Sequence, residues 1–233
     1  MLALLYDVHG NLPALEAVLA DAAQAGADRY LLGGDYALFG PYPDQTVARL
    51  RELPAASWLR GNGERWVVHP HEAPDDEVVR AAIEACRWTL GHAVTEELGA
   101  LPEQHVQDGV RYCHASVVSD VRSFMPEPAD QEEELLNGIG ERRLVFGHTH
   151  LPFRREGPNG IELVNPGSVG MPFDGDPRAA YALGHDDDTL EHRRVEYDHM
   201  ASARALRRRF SGDWTATVAA RIEQARLDRK SVV

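Results

Sequence analysis

A chain of 233 residues with 43% hydrophobic side chains can bury one sizeable core, with room for an appendage. Its formal net charge of −13 argues against a broad electrostatic footprint for long nucleic acids, and no apolar run approaches the ~18 residues of a membrane span. Two cysteines, Cys86 and Cys113, make no disulfide framework; with no basic leader-like stretch ahead of the first apolar run, they point to reduced thiols in a cytoplasmic protein.

The first apolar run, Leu2 to Tyr6, reads as a strand. Leu12, Leu15, Val18, Leu19 and Ala22 then keep a helical period until Gly26. Tyr30–Leu32 is a second strand, Pro43 to Leu53 a second helix, and Ala56–Leu59 a third strand, a βαβαβ rhythm that predicts parallel strands with helical crossovers. Residues 75–100 read as a long helical region with Gly91 as a candidate break. Asp108-Gly109 is a hairpin turn between two short strands, and a helix is expected over Gln131 to Ile139. From residue 143 short strands follow one another at Leu144–Phe146, Phe153–Glu156, Ile161–Val164, Ala179–Leu183 and Leu190–Val195. Their closely spaced turns suggest antiparallel pairing. Asp198 to Leu227 returns to helix, interrupted near Ser211-Gly212-Asp213. Residues 1–197 are therefore expected to form one domain and residues 198–233 a helical extension. Only Lys230 is a lysine, and the excess of arginine is read as base-composition bias; Arg204, Arg207, Arg208 and Arg209 form a solvated helix face.

Five short stretches put metal-ligand side chains just after strand-like runs: Asp7-Val8-His9, Gly33-Gly34-Asp35, Gly61-Asn62, Cys113-His114 and Gly147-His148-Thr149-His150. Ligands of open α/β sheets bind beyond the carboxyl ends of the strands. Five strands of one sheet would thus aim Asp7, His9, Asp35, Asn62, His114, His148 and His150 at a single point, with enough nitrogen and oxygen for two ions. Imidazole and oxygen donors without a thiolate cluster suit Mn, Fe, Zn, Ni or Co rather than Ca or a structural zinc. Any one of these stretches alone is usually an ordinary loop; five in this order are not.

These residues resemble the calcineurin-like metallophosphoesterases, in particular their small bacterial and archaeal phosphodiesterase-like branch. The matching elements are Asp7-x-His9-Gly10-Asn11, Gly34-Asp35, Gly61-Asn62, His114, Gly147-His148-x-His150 and Asn165-Pro166-Gly167-Ser168-Val169-Gly170. The resemblance implies a four-layer αββα sandwich, two mixed sheets face to face with helices outside, followed here by the C-terminal helical extension. It implies that Asp7, His9 and His150 hold one divalent transition-metal ion, that Asn62, His114 and His148 hold another, and that Asp35 bridges them, with manganese favoured. A bridging hydroxide would be the nucleophile, and the site would carry about +1, enough to attract phosphate in an acidic protein. The turn at Asn165 to Gly170 would support the site.

Many members carry a histidine after the Gly-Asn pair, where this chain has Gly63. That histidine is assigned to the leaving group, so its loss should restrict substrates rather than abolish turnover, since general-acid help is worth ~10²–10⁴ in rate. Glu64 reads as a structural hydrogen-bonding partner. Arg65, His69 and His71 are candidate substitutes for the missing acid, and Arg122 is a candidate substrate contact beside Asn62. The expected activity is a phosphodiesterase or phosphoanhydride hydrolase on small phosphorylated or nucleotide-like substrates, with a phosphomonoesterase as runner-up and a homo-oligomer allowed. A non-catalytic scaffold, like the retromer subunit of similar fold, is the reading from another class; it gains weight when ligands are lost, and here all seven positions are filled.

Overall fold

The computed structural model describes residues 1–227, so the last six residues of the expected extension lie outside the described residues. Among the described residues ten strands are present: β1 (Leu2–Leu5), β2 (Arg29–Leu32), β3 (Ala56–Trp58), β4 (Gln104–Gln107), β5 (Val110–Cys113), β6 (Arg143–Val145), β7 (Phe153–Glu156), β8 (Glu162–Asn165), β9 (Ala179–Gly184) and β10 (Leu190–Val195). They form two five-stranded sheets, ordered β10-β9-β1-β2-β3 and β4-β5-β6-β8-β7. In the first, β1 and β2 pair parallel with Leu4 opposite Leu31, while β9 returns antiparallel to β1. In the second, β5, β6 and β8 are parallel, and β4 and β7 close the edges antiparallel.

This topology corrects two expectations. The late strands are antiparallel only in part: β7–β8, β9–β10 and β9–β1 pair as expected, but β6 pairs parallel with both β5 and β8. The strands that carry the candidate ligands are also not in one sheet: β1, β2 and β3 belong to the first and β5 and β6 to the second. Closely spaced turns signal short strands, but they do not say which strand a returning segment chooses as its neighbour.

Among the described residues eight α-helices accompany the sheets: α1 (Leu12–Gln24), α2 (Pro43–Arg51), α3 (Asn62–Val68), α4 (Glu77–Leu90), α5 (His92–Gly99), α6 (Glu132–Leu135), α7 (His199–Arg209) and α8 (Trp214–Gln224). In α1, Leu15, Val18, Leu19 and Ala22 are buried, as the period requires. The predicted helical region 75–100 is split at Gly91, whose φ of 74° ends α4. Of the helix expected over residues 131–139 only four residues form.

Strand alternation sorts the side chains into layers. Leu4, Tyr6, Leu31, Val110, Tyr112 and Val145 fill the space between the sheets, and the Tyr6 hydroxyl donates across that space to Val145 O at 3.2 Å. Ala3, Leu5 and Leu32 face the other way, onto α1, α2 and α4. Leu206 of α7 and Val218 and Ile222 of α8 join this same core, so the tail packs into the body of the fold. On the far face of the second sheet, Leu144, Phe146 and Leu163 are covered by Phe124, Leu135 and Leu136, a thin layer made of α6 and irregular chain. Cys86 and Cys113 are buried and free. Among the described residues no helix is long and apolar enough to cross a membrane.

Candidate metal centre

The carboxyl ends of β1, β2, β5 and β6 and the start of α3 come together at one end of the sandwich, and they bring all seven expected residues with them. Asp7, His9, Asp35, Asn62, His114 and His150 are at most 5% exposed. The local backbone that does this is uncommon. Asp7, His9, Asp35, His148 and His150 all adopt left-handed φ, between 49° and 68°. Each such non-glycine residue costs on the order of 1–3 kcal/mol and persists only where the surroundings impose it. Here the strand-end loops are laced together: Asp7 N donates to Gly34 O, His9 N to Asp35 O and Gly147 N to His114 O. Gly34 allows the close approach, since a Cβ there would lie 2.8 Å from His114 Nδ1.

The donors fall into two groups. His9 Nε2 and His150 Nε2 are 3.0 Å apart, and His150 Nε2 is 3.6 Å from Asp7 Oδ1. Asn62 Oδ1 is 2.9 Å from both His114 Nε2 and His148 Nδ1. Asp35 stands between them, with Oδ2 3.8 Å from His9 Nε2 and Oδ1 3.6 Å from His114 Nε2.

Three rings have their outer nitrogen committed to a main-chain carbonyl: His9 to Leu38 O, His114 to Gly33 O and His150 to Met171 O. A carbonyl only accepts, so that nitrogen carries the proton and the other turns a lone pair inward. His9 Nε2 and His150 Nε2 therefore meet lone pair to lone pair. Asn62 shows the same conflict: with Oδ1 inward it faces acceptors alone, whereas the turned amide would donate to both imidazoles and to Asp120 O. Asp7 Oδ1 is buried with no hydrogen-bond partner. Converging lone pairs and a buried carboxylate oxygen without a donor are what a cation would resolve, so the donor set fits divalent metal.

Protonation follows burial. Desolvation lowers His9 and His148 to about 3 and depresses His150 and His114, which keeps the rings neutral. Desolvation, then the neighbouring Asp35 charge, pushes Asp7 well above the carboxylate range, and burial takes Asp35 to about 7 against a hydrogen bond from Gly63 N. Glu64 serves differently. Its carboxylate accepts from the backbone N–H groups of Asp35, Tyr36 and Gly61, each at 2.8 Å, and so pins the Asp35 loop to the first turn of α3. In the sequence, Gly61-Asn62 stands only after a strand-like run, with no helix expected there; the helix begins at Asn62 itself. The residues of the supporting turn also contribute: Ser168 Oγ donates to Asp7 O and Asn165 Nδ2 to Gly147 O.

A cleft of about 610 Å³ opens onto this centre, lined by His9, Asp35, Asn62, His148 and His150 and walled by Phe39, Trp66 and Phe173. Of the candidates for substrate contact, Asn62 and Arg65 line it, and the Arg65 guanidinium is held by Asp120 at 2.6 and 2.7 Å and by Glu72 at 2.7 Å. Arg122 pairs with Glu134 at 2.8 Å outside the cleft, and His69 and His71 are exposed and do not line it. Sequence reasoning missed Arg221 of α8, which lies in the cleft wall; one arginine on an amphipathic helix carries no mark that distinguishes it.

A domain model described as the calcineurin-like phosphoesterase superfamily domain matches residues 1–189. An uncharacterized protein of Methanocaldococcus jannaschii is 30% identical over 222 residues, covering 85% of this chain and 88% of the relative. Phosphodiesterase YfcE of Escherichia coli K12 is 30% identical over 196 residues, covering 77% of this chain and 85% of the relative. The crystal structure of a metallophosphoesterase from Sphaerobacter thermophilus matches with a TM-score of 0.80 at 26% identity, over 96% of this chain and 98% of its own.

Proposed function

The chain belongs to the calcineurin-like phosphoesterase superfamily, and from that premise we propose that it is a two-metal phosphodiesterase or phosphoanhydride hydrolase acting on small nucleotide-like substrates. The observation that carries this reading is the convergence of seven donors with Asp7 Oδ1 left unsatisfied at their centre. Asp7, His9 and His150 would hold one ion and Asn62, His114 and His148 the other, with Asp35 between the two groups as their shared ligand. When bound, two divalent ions, manganese by preference, supply Lewis acidity toward the phosphoryl oxygens and lower the pKa of an attacking water.

The chain's own residues do the rest. The carbonyls of Leu38, Gly33 and Met171 fix the tautomers of His9, His114 and His150. Burial keeps those rings neutral at physiological pH, and Phe39, Trp66 and Phe173 shield the reacting centre from bulk water.

The cleft also explains which bonds should break. Its imidazoles are all candidate ligands, and Glu72, its remaining acid outside the ligand set, is tied to Arg65. Among the described residues no lining acid or imidazole outside the ligand set is therefore free to protonate a leaving group, which favours esters and anhydrides with acidic leaving groups. A histidine at Gly63 is not a simple restoration. A Cβ there would lie 2.8 Å from Asp35 Oδ1, so the substitution would move the bridging carboxylate.

The test is a hydrolysis screen of metal-reconstituted protein against monoesters, diesters, cyclic nucleotides and dinucleoside polyphosphates, with log kcat/KM plotted against leaving-group pKa. We expect nitrophenyl diesters and phosphoanhydrides to be cleaved best, with a steep negative slope. A flat slope with alkyl monoesters as the best substrates would favour the phosphomonoesterase instead. No turnover at full metal content would make the chain a metal-binding scaffold.

A further inference from the structure

Asn11 sits at the N-cap of α1, two residues after His9, yet its side chain makes no capping bond to that helix. Asparagine is among the preferred residues there because its side chain usually caps the first turn. Here the amide is fully buried and turns the other way. Its Nδ2 donates to Gly170 O at 2.7 Å and to the Tyr197 hydroxyl at 3.0 Å, and its Oδ1 accepts from Ser202 Oγ of α7 at 2.9 Å. Gly170 O can only accept, so the amide nitrogen must face it. Ser202 then supplies the donor that the amide oxygen needs.

These bonds lead to one half of the donor cluster. Gly170 N and Ser168 Oγ both donate to Asp7 O. The next residue, Met171, holds His150 Nδ1 with its carbonyl. Asn11 N donates to Val8 O and so closes the turn that carries His9. Asp7, His9 and His150 therefore share one frame, the segment 168–171 joined to Asn11. The other three donors are framed elsewhere: His114 Nδ1 is bonded to Gly33 O, Asn62 opens α3 at the Glu64 carboxylate, and Gly147 ahead of His148 accepts from Asn165. The two halves meet where His148 N donates to Asp7 Oδ2 at 3.0 Å.

Resting on the two-metal reading above, we propose that Ser202 and Tyr197 are positioning residues for the ion held by Asp7, His9 and His150. By locking the Asn11 amide against Gly170, the tail sets the affinity of that position and leaves the position of Asn62, His114 and His148 unchanged. Neither residue lines the cleft, so the action runs through Asn11 alone. Without the Ser202 hydroxyl, Asn11 Oδ1 is buried without a donor, and the amide gains by rotating away from Gly170.

The experiment titrates the metal-free full chain with manganese by calorimetry. In a His148→Ala background, which keeps the Asp7, His9 and His150 position, Ser202→Ala should weaken the remaining ion about tenfold and Tyr197→Phe about threefold, at or below the low end of what supporting partners of ligands contribute. In a His9→Ala background, neither substitution should shift the remaining ion by more than about twofold. A merely structural tail would weaken both positions alike, or lower the melting temperature with both affinities kept, and either result overturns the inference. Tyr197→Phe, on a partly exposed ring, keeps the test decisive if Ser202→Ala fails to fold. If the wild type binds two ions and hydrolyses bis(nitrophenyl) phosphate while the substitutions change neither ion, the inference falls and the phosphoesterase reading stands. A wild type that binds no manganese overturns the inference, and one that also cleaves no ester overturns both readings.

Discussion

The two ends of the sandwich are both rich in charge, yet they are built on opposite rules. At the amino ends of β1, β2 and β6, a cavity of about 360 Å³ is lined by Arg29, Arg142, Arg143, Asp186 and Asp188. Its ions are partnered: Arg29 with Asp186 at 3.0 Å, Arg142 with Asp188 at 2.7 Å and Arg143 with Asp188 at 2.9 Å. At the carboxyl ends, His9 Nε2 meets His150 Nε2 acceptor to acceptor, Asp7 Oδ1 has no hydrogen-bond partner, and five left-handed residues hold the cluster there. The left-handed residues of the amino end, Asp108 and Asp188, are turn corners before Gly109 and Thr189 that any hairpin uses. Charge and unusual backbone therefore do not identify a site by themselves. What separates the two ends is whether the polar atoms satisfy one another.

The comparison can be broken first at Glu64, a buried acid of the carboxyl end whose two oxygens are satisfied by three backbone N–H groups. Glu64→Ala would strand three buried N–H groups, and at ~1–3 kcal/mol for each the loss of stability should exceed about 3 kcal/mol. Chemical denaturation of the metal-free protein measures it; a loss below 1 kcal/mol would show that this carboxylate does not organise the loop.

Asp35→Asn should behave in the opposite way. Supporting partners of metal ligands are worth ~10–100-fold in affinity, so removing the proposed bridging ligand should weaken both proposed ions by at least about 100-fold. Metal-free Asp35→Asn should nonetheless melt higher than metal-free wild type, because a buried carboxylate beside Asp7 is removed. Elemental analysis and paired melts test both halves, and normal content of two ions would rule out the bridge. His148→Ala should lower one ion's occupancy and spare the other.

Gly63→Ala sharpens the same point with a single methyl group. By displacing Asp35 it should cost about 10–100-fold in metal affinity, with little change in the fold by circular dichroism. Unchanged affinity would mean that the carboxylate yields without consequence.

The smallest effect is expected at the far end. Burial pushes Asp188 up, but the hydrogen bond from Arg142 and the charges of Arg143 and Arg142 outweigh it and hold the carboxyl below the usual range. Asp188 is half exposed, so Asp188→Asn should cost under about 1 kcal/mol. Because the folded pKa is depressed, that difference should be present at neutral pH and vanish as pH falls through it. A stability gap that widened in acid would contradict this assignment.

The sequence by itself determined the seven donor residues, their order and their placement after strand-like runs, because apolar periodicity and ligand chemistry are both local properties. It also determined the period of α1, the Asp108-Gly109 hairpin and the helical return of the tail. Tertiary structure decided that the donors come from two sheets, since β5 and β6 pair with β4 and β8 in a second sheet rather than extend the one that holds β1, β2 and β3. It decided that Asn62 and Gly63 open a helix, because the capping carboxylate of Glu64 must reach across to the Asp35 loop. It also decided that Arg122 stays with Glu134 while Arg221 reaches the cleft. One arginine among many is distinguished only by what the folded chain puts in front of it, and that depends on contacts between residues about two hundred positions apart.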